Sequence, residues 1–104
     1  MDLVEMVYRL TRGFPREELY GLTSPLRRTT ISVPANIAEG NTRSTRKEYA
    51  NFLSIARSSA NEVETLQVIS QRLGYTRAKD IQPIISIVDE VSRMLDSYLS
   101  KLNG

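Results

Sequence analysis

Chemistry in this chain falls to carboxylates, guanidinium groups and hydroxyls, because it contains neither histidine nor cysteine. That absence removes disulfides, thiolate nucleophiles, the usual zinc sites and imidazole acid–base work. The acids cluster as Glu17 with Glu18, Glu62 with Glu64, and Asp89 with Glu90. Residues one or two apart on a helix do not face each other, so none of these pairs forms a two-carboxylate site. Serine and threonine nucleophiles need a base beside them, and no motif supplies one. Iron sites built on Glu-x-x-His are impossible without histidine. The chain is therefore expected not to be an enzyme and to use no metal or cofactor.

Binding is the chemistry that remains. Between Arg27 and Lys47 stand five basic residues (Arg27, Arg28, Arg43, Arg46 and Lys47) against one acid, Glu39. Lysine appears only at Lys47, Lys79 and Lys101, and arginine suits two-pronged phosphate or carboxylate contacts better. Arg43, Arg46 and Lys47 fall at a turn and the start of the helix after it, where cations oppose the helix dipole by a few tenths of a kcal/mol. Their placement does not serve stability. Arg27, Arg43, Arg46 and Lys47 are the candidate nucleic-acid-binding residues, although for any one of them a solvated surface is the plainer reading.

These residues must be positioned by helices. Asp2 to Thr11 carries Leu3, Met6, Val7 and Leu10 at the spacing of one helical face, with Gly13 as the stop. Pro15 and the acids Glu17 and Glu18 open a second helical stretch. It is expected to break near Gly21 and restart at Ser24-Pro25, with Ser24 as N-cap. Pro34 falls inside the restarted helix and predicts a kink that frees the Thr30 carbonyl. Gly40 is the expected end, followed by a polar loop from Asn41 to Ser44. Thr45 and Glu48 form a capping box for a third helix running to about Leu73, closed by Gly74. A fourth helix begins between Thr76 and Lys79, and Pro83 fits it only in the first turn. No period-two stretch appears. The fold class is all-α: an antiparallel up-down-up-down four-helix bundle with helix two kinked at Pro34. The 104 residues, 40% of them hydrophobic, fit one domain over 1–104.

The stretch Leu26–Gly40 has more faces than one bundle can use. Leu26, Val33 and Ile37 line the core side, Ile31, Ala35 and Ala38 a small-residue side, and Arg28, Ser32, Asn36 and Glu39 a polar stripe between them. The third and fourth helices also carry wide apolar arcs. Spare apolar surface marks an interface, so a homo-oligomer is expected, with Ile31, Ala35 and Ala38 in the contact. No apolar run approaches the roughly 20 residues needed to span a bilayer, and MDLVEMVYRL does not read as a signal peptide. No membrane association and a cytoplasmic location of bacterial type are expected.

FPREELYGL (Phe14 to Leu22), LRRTTISVPANIAEG (Leu26 to Gly40), EYANFLSIARSS (Glu48 to Ser59) and LGY (Leu73 to Tyr75) closely resemble the four helix bundle proteins, also called 23S ribosomal RNA intervening-sequence proteins. The resemblance implies an antiparallel bundle assembled as a homopentamer and implies no enzyme. A related branch, the accessory variability determinants of diversity-generating retroelements, forms basic pentamers that bind nucleic acid and a reverse transcriptase. RNA, DNA or such a protein are thus candidate partners. In a ring of five, Arg43, Arg46 and Lys47 would supply about fifteen positive charges for salt-sensitive backbone binding. The runner-up is a protein-binding scaffold without nucleic-acid contact. Arg28, Asn36, Glu39, Arg57 and Glu62 match the family's recurrent polar positions, and they are expected to pair as a structural lock across helices. Pro25, Thr29 and Thr30 depart from the family pattern, and the start at MDLVEM shortens the first helix relative to it.

Overall fold

The computed structural model describes residues 2–103. It is built from four helices: α1 (Asp2–Thr11), α2 (Ser24–Asn41), α3 (Arg46–Arg72) and α4 (Ala78–Asn103). There is no strand among the described residues. α1 packs on α2 and α4, and α3 closes the square from the other side. Each of the four helices therefore has two neighbours, and α1 lies across the bundle from α3.

α1 buries Leu3 and Val7 at the predicted spacing. Past its end, the Phe14 N–H donates to the Thr11 carbonyl at 3.0 Å. The following segment departs from expectation. Arg16–Glu18 makes a single 3₁₀ turn, and Leu19–Thr23 a wide π turn that runs into α2 without a break. Thr23 (φ −61°, ψ −56°) and Ser24 (φ −66°, ψ −46°) are both helical, so Ser24 is not an N-cap. The physical reason lies in the ladder. The Ser24 N–H reaches back five residues to the Leu19 carbonyl. The return to ordinary pitch then falls on Pro25, which has no N–H to place.

Pro34 sits inside α2, as read from the sequence, and takes the i+4 donor from the Thr30 carbonyl. The helix extends one residue past Gly40, so Asn41 belongs to it and the loop is shorter than expected. Thr45 caps α3 as predicted, its hydroxyl accepting the Glu48 N–H at 3.1 Å. Gly74 closes that helix at φ +84°, with the Tyr75 N–H returning to the Ser70 carbonyl at 3.0 Å. Pro83 lies in the second turn of α4, not the first. It is exposed, which lets water serve the Lys79 carbonyl that it leaves without a donor.

The core has two parts. In one, all four helices contribute: Leu3 and Val7, Leu26 and Val33, Ala60 and Val63, and Ile84 and Val88. In the other, Leu53, Ala56 and Leu95 are surrounded by Ile37, Tyr49, Val91, Leu99 and Leu102, with nothing from α1. The lengths explain this. Ten residues of α1 extend about 15 Å and the 27 of α3 about 40 Å. Half of the bundle is therefore held by three helices.

Where the four-helix half closes, Tyr75 donates its hydroxyl to the Glu18 carboxylate at 2.8 Å and tilts against Phe14 at 6.0 Å between ring centroids. The bond to Glu18, with Glu17 nearby, pushes the Tyr75 pKa up by favouring the protonated phenol. Gly21 makes room for that carboxylate, since a Cβ there would stand 2.7 Å from Glu18 Oε1.

At the opposite end Gly40 permits a close approach of α2 to α3. A Cβ there would lie 2.9 Å from Tyr49 Cδ1 and 3.2 Å from Phe52 Cβ. Gly40→Ala gains up to about 1 kcal/mol of helix propensity and costs about 1–3 kcal/mol of overpacking. The expected net is a loss of about 1 kcal/mol, read as a lower urea midpoint with an unchanged slope. A gain in stability would show that the two helices have slack here.

Candidate nucleic-acid interface and the surfaces around it

The basic turn is real as a location. Arg43, Arg46 and Lys47 all lie exposed between the end of α2 and the first turn of α3. They are not equally available. Arg43 is ion-paired with Glu39 one turn back, and its guanidinium lies over the Phe52 ring at 4.8 Å. Arg46 donates from Nη2 to the Lys101 carbonyl at 3.0 Å, tying the start of α3 to the last turn of α4. Lys47 is exposed and makes no ion pair among the described residues. Lys101 adds a further cation at this end.

Arg27 does not join them. It lies sixteen residues before Arg43, roughly 24 Å away along a helix axis. Its Nε donates to the Thr11 hydroxyl at 2.8 Å, and its guanidinium covers the Tyr8 ring at 4.5 Å. Half-buried there, it ties α2 to α1. Its charge is spent on a cation–π contact and a hydrogen bond.

The five family-pattern polar residues do not form one lock. Asn36 and Glu62 lie in a seam between α2 and α3 whose centre is Thr29, Ser32 and Ser59. The Thr29 hydroxyl meets Glu62 Oε2 at 2.9 Å and the Ser59 carbonyl at 3.2 Å. The Ser32 and Ser59 hydroxyls are 2.8 Å apart, and Asn36 Nδ2 donates to the Ser32 hydroxyl at 2.8 Å. Glu39 stands apart with Arg43. Arg57 points to the other side of α3, where it pairs with Asp96 at 2.8 Å and donates to Asn61 at 2.7 Å. Arg28 is exposed and makes no ion pair among the described residues. Sequence reasoning set Ser32 in the polar stripe of α2 but missed Thr29 and Ser59 as its company in the seam. The signal was present as polar residues at helical spacing, Thr29-x-x-Ser32-x-x-x-Asn36 facing Ser59-x-x-Glu62.

Ile31, Ala35 and Ala38 are all exposed, Ile31 by 42%. Ile31 borders a groove between α1 and α2 that is lined by Val4, Glu5, Tyr8, Arg9 and Arg12. The spare apolar arcs of α3 and α4 leave Ile55, Ile69 and Leu73, and Met94 and Tyr98, open to solvent. Among the described residues no helix is long and apolar enough to cross a membrane. What this surface can do is bind, through an apolar strip on α2 and through cations at the turn.

The family model for the 23S rRNA-intervening sequence protein matches residues 1–97. No curated protein matches the chain. Among solved structures it is similar to a protein of unknown function from the S23 ribosomal protein family of Bacteroides thetaiotaomicron. The two share 24% identity over 93% of this chain and 90% of the other, with a TM-score of 0.82. At that identity the likeness concerns the fold.

Proposed function

We propose that this chain, which belongs to the 23S rRNA-intervening sequence protein family, is a non-enzymatic bundle that assembles with copies of itself, five to a ring, and offers the basic turn to nucleic acid. The observation that carries the reading is the outer face of α2. Ile31, Ala35 and Ala38 stand exposed beside an open groove, on a helix whose other side is already committed to the core. Small residues let a neighbouring backbone come close, and a half-exposed isoleucine is stabilised by being covered. Assembly then multiplies the cations at the turn around the ring, turning a weak local charge into a field that suits phosphate backbones.

Sedimentation measures the first part directly, as a mass near five times the 11.8 kDa chain. A monomer at tens of micromolar would refute it. The second part is read by gel shift on RNA and DNA at two salt concentrations. Arg43→Ala with Arg46→Ala and Lys47→Ala should weaken binding by about tenfold or more at 50 mM salt, and raising salt should weaken the unaltered protein steeply. Equal binding by the variant would remove the turn from the interface. One observation favours the second reading, a protein-binding scaffold without nucleic-acid contact. Arg43 and Arg46 are already engaged within the fold, by Glu39 and Phe52 and by the Lys101 carbonyl.

A further inference from the structure

Two adjacent sides of the bundle, which share α2, carry complementary surface. The α1–α2 groove has Val4, Tyr8 and Ile31 at its floor and Arg9 and Arg12 at its rim. Both arginines are exposed and make no ion pair among the described residues, against one acid there, Glu5. The α2–α3 side carries an apolar knob and an acid. Ile55 lies one turn before Ser59 and two turns before Glu62, hence on the same face of α3, and it is 48% exposed. Glu62 accepts the Thr29 hydroxyl on Oε2 and makes no ion pair among the described residues. Arg28 lines the pocket beside it, at the outer corner of α2.

The two sides match level for level. α1 and α3 both run antiparallel to α2. Arg27 bonds Thr11, so Val4 lies level with Pro34 and Arg9 level with Thr29. The Ser32 and Ser59 hydroxyls meet, so one turn away Ile55 lies level with Asn36. Glu62 bonds Thr29 itself. Ile55 therefore stands within about 3 Å of Val4 along the bundle axis, and Glu62 stands level with Arg9.

A closed ring needs its two contact sides set at an angle. Their outward normals stand about 90° apart in a ring of four and about 108° in a ring of five, whereas opposite sides build an open line. Adjacent sides of a four-helix square face about 90° apart. The α1–α2 and α2–α3 sides are adjacent in this way. A rotation about an axis parallel to the bundle keeps levels unchanged and sets α2 innermost. Ala35 and Ala38 on its outer face take little room there, so neighbouring copies can close in.

We propose that the α1–α2 groove of one copy receives the α2–α3 side of the next, with Ile55 set against Val4 and Ile31, and Glu62 opposite Arg9 and Arg12. This rests on the self-assembly reading and supplies the second surface that a ring requires. Covering Ile31 and Ile55 supplies affinity, and the charges fix which sides meet and in what register. The two sides differ, so the contact repeats around a ring, whereas a face meeting itself stops at two copies.

Sedimentation tests it, with circular dichroism to confirm that the exposed substitutions leave the helices intact. Ile31→Glu in the groove and Ile55→Glu on the other side should each raise the dissociation constant of the assembly by about tenfold or more. Arg9→Glu with Arg12→Glu should do the same, as should Glu62→Arg alone. All three charge changes in one chain should bring assembly back. Ile55→Glu assembling as tightly as the unaltered chain would overturn the proposal while leaving self-assembly standing. So would charge changes whose losses add instead of cancelling. A monomeric unaltered chain would overturn both.

Discussion

Leu95→Ala should destabilise the protein by about 3 kcal/mol, within the range for emptying a fully buried leucine site. Leu95 is completely buried, and with Leu53 and Ala56 it is the interior of the three-helix half. Two effects compete there. The surrounding Val91, Leu99 and Leu102 are only partly buried and can move inward, which lowers the cost. On the other side, α1 supplies nothing at this level. Leu53 and Leu95 are the two large side chains buried outright in this half, and α4 has little else holding its last turns. The cavity is thus hard to fill without loosening the Arg46 to Lys101 tie. For a chain of this length each kcal/mol moves the melting temperature by about 4–8 °C, so a fall of roughly 12–24 °C is expected by thermal circular dichroism. A fall below about 4 °C would mean that this half is not packed as a core.

How much of this was legible beforehand differs from residue to residue, and the differences are physical. The Thr45 cap, Gly74, and Leu3 with Val7 obey rules local to one turn of chain, and the structure has them as read, although of the capping box only the Thr45 half, accepting the Glu48 N–H, is formed. The π turn at Leu19–Thr23 and the place of Pro83 were not legible. The π turn depends on a ladder that changes its step, where pattern rules assume a constant one, and Pro83 depends on an exposed position in the second turn of α4 that pattern rules do not see. The basic turn was visible as charge because Arg43, Arg46 and Lys47 are close in sequence. Their commitments were not, because Phe52 and the Lys101 carbonyl are brought in by neighbouring helices. The same holds for Arg57, whose partner Asp96 is 39 residues away. Which side of α3 an arginine faces depends on the rotation of the helix about its own axis. Arg27 shows the limit most clearly: charge and spacing placed it with the basic residues, and Tyr8 and Thr11 took it elsewhere.

Gln67→Leu should raise stability by about 1–3 kcal/mol, the size of relieving a buried polar group without a partner. Gln67 is fully buried on α3, and neither its amide nitrogen nor its amide oxygen has a hydrogen-bond partner among the described residues. Leucine is close to it in volume, so repacking costs less than about 1.5 kcal/mol and the net gain survives. A melting temperature higher by roughly 4 °C or more would bear this out. A fall would mean that the amide finds partners in solution, the natural one being a water held in the core with two or more bonds. Each outcome assigns a purpose. A gain makes Gln67 a group kept at the expense of stability, and the next measurement is whether the leucine variant still sediments as a single species. If it spreads over several masses, the buried amide sets which packing of the helices is accepted, as single buried polar residues do in coiled coils.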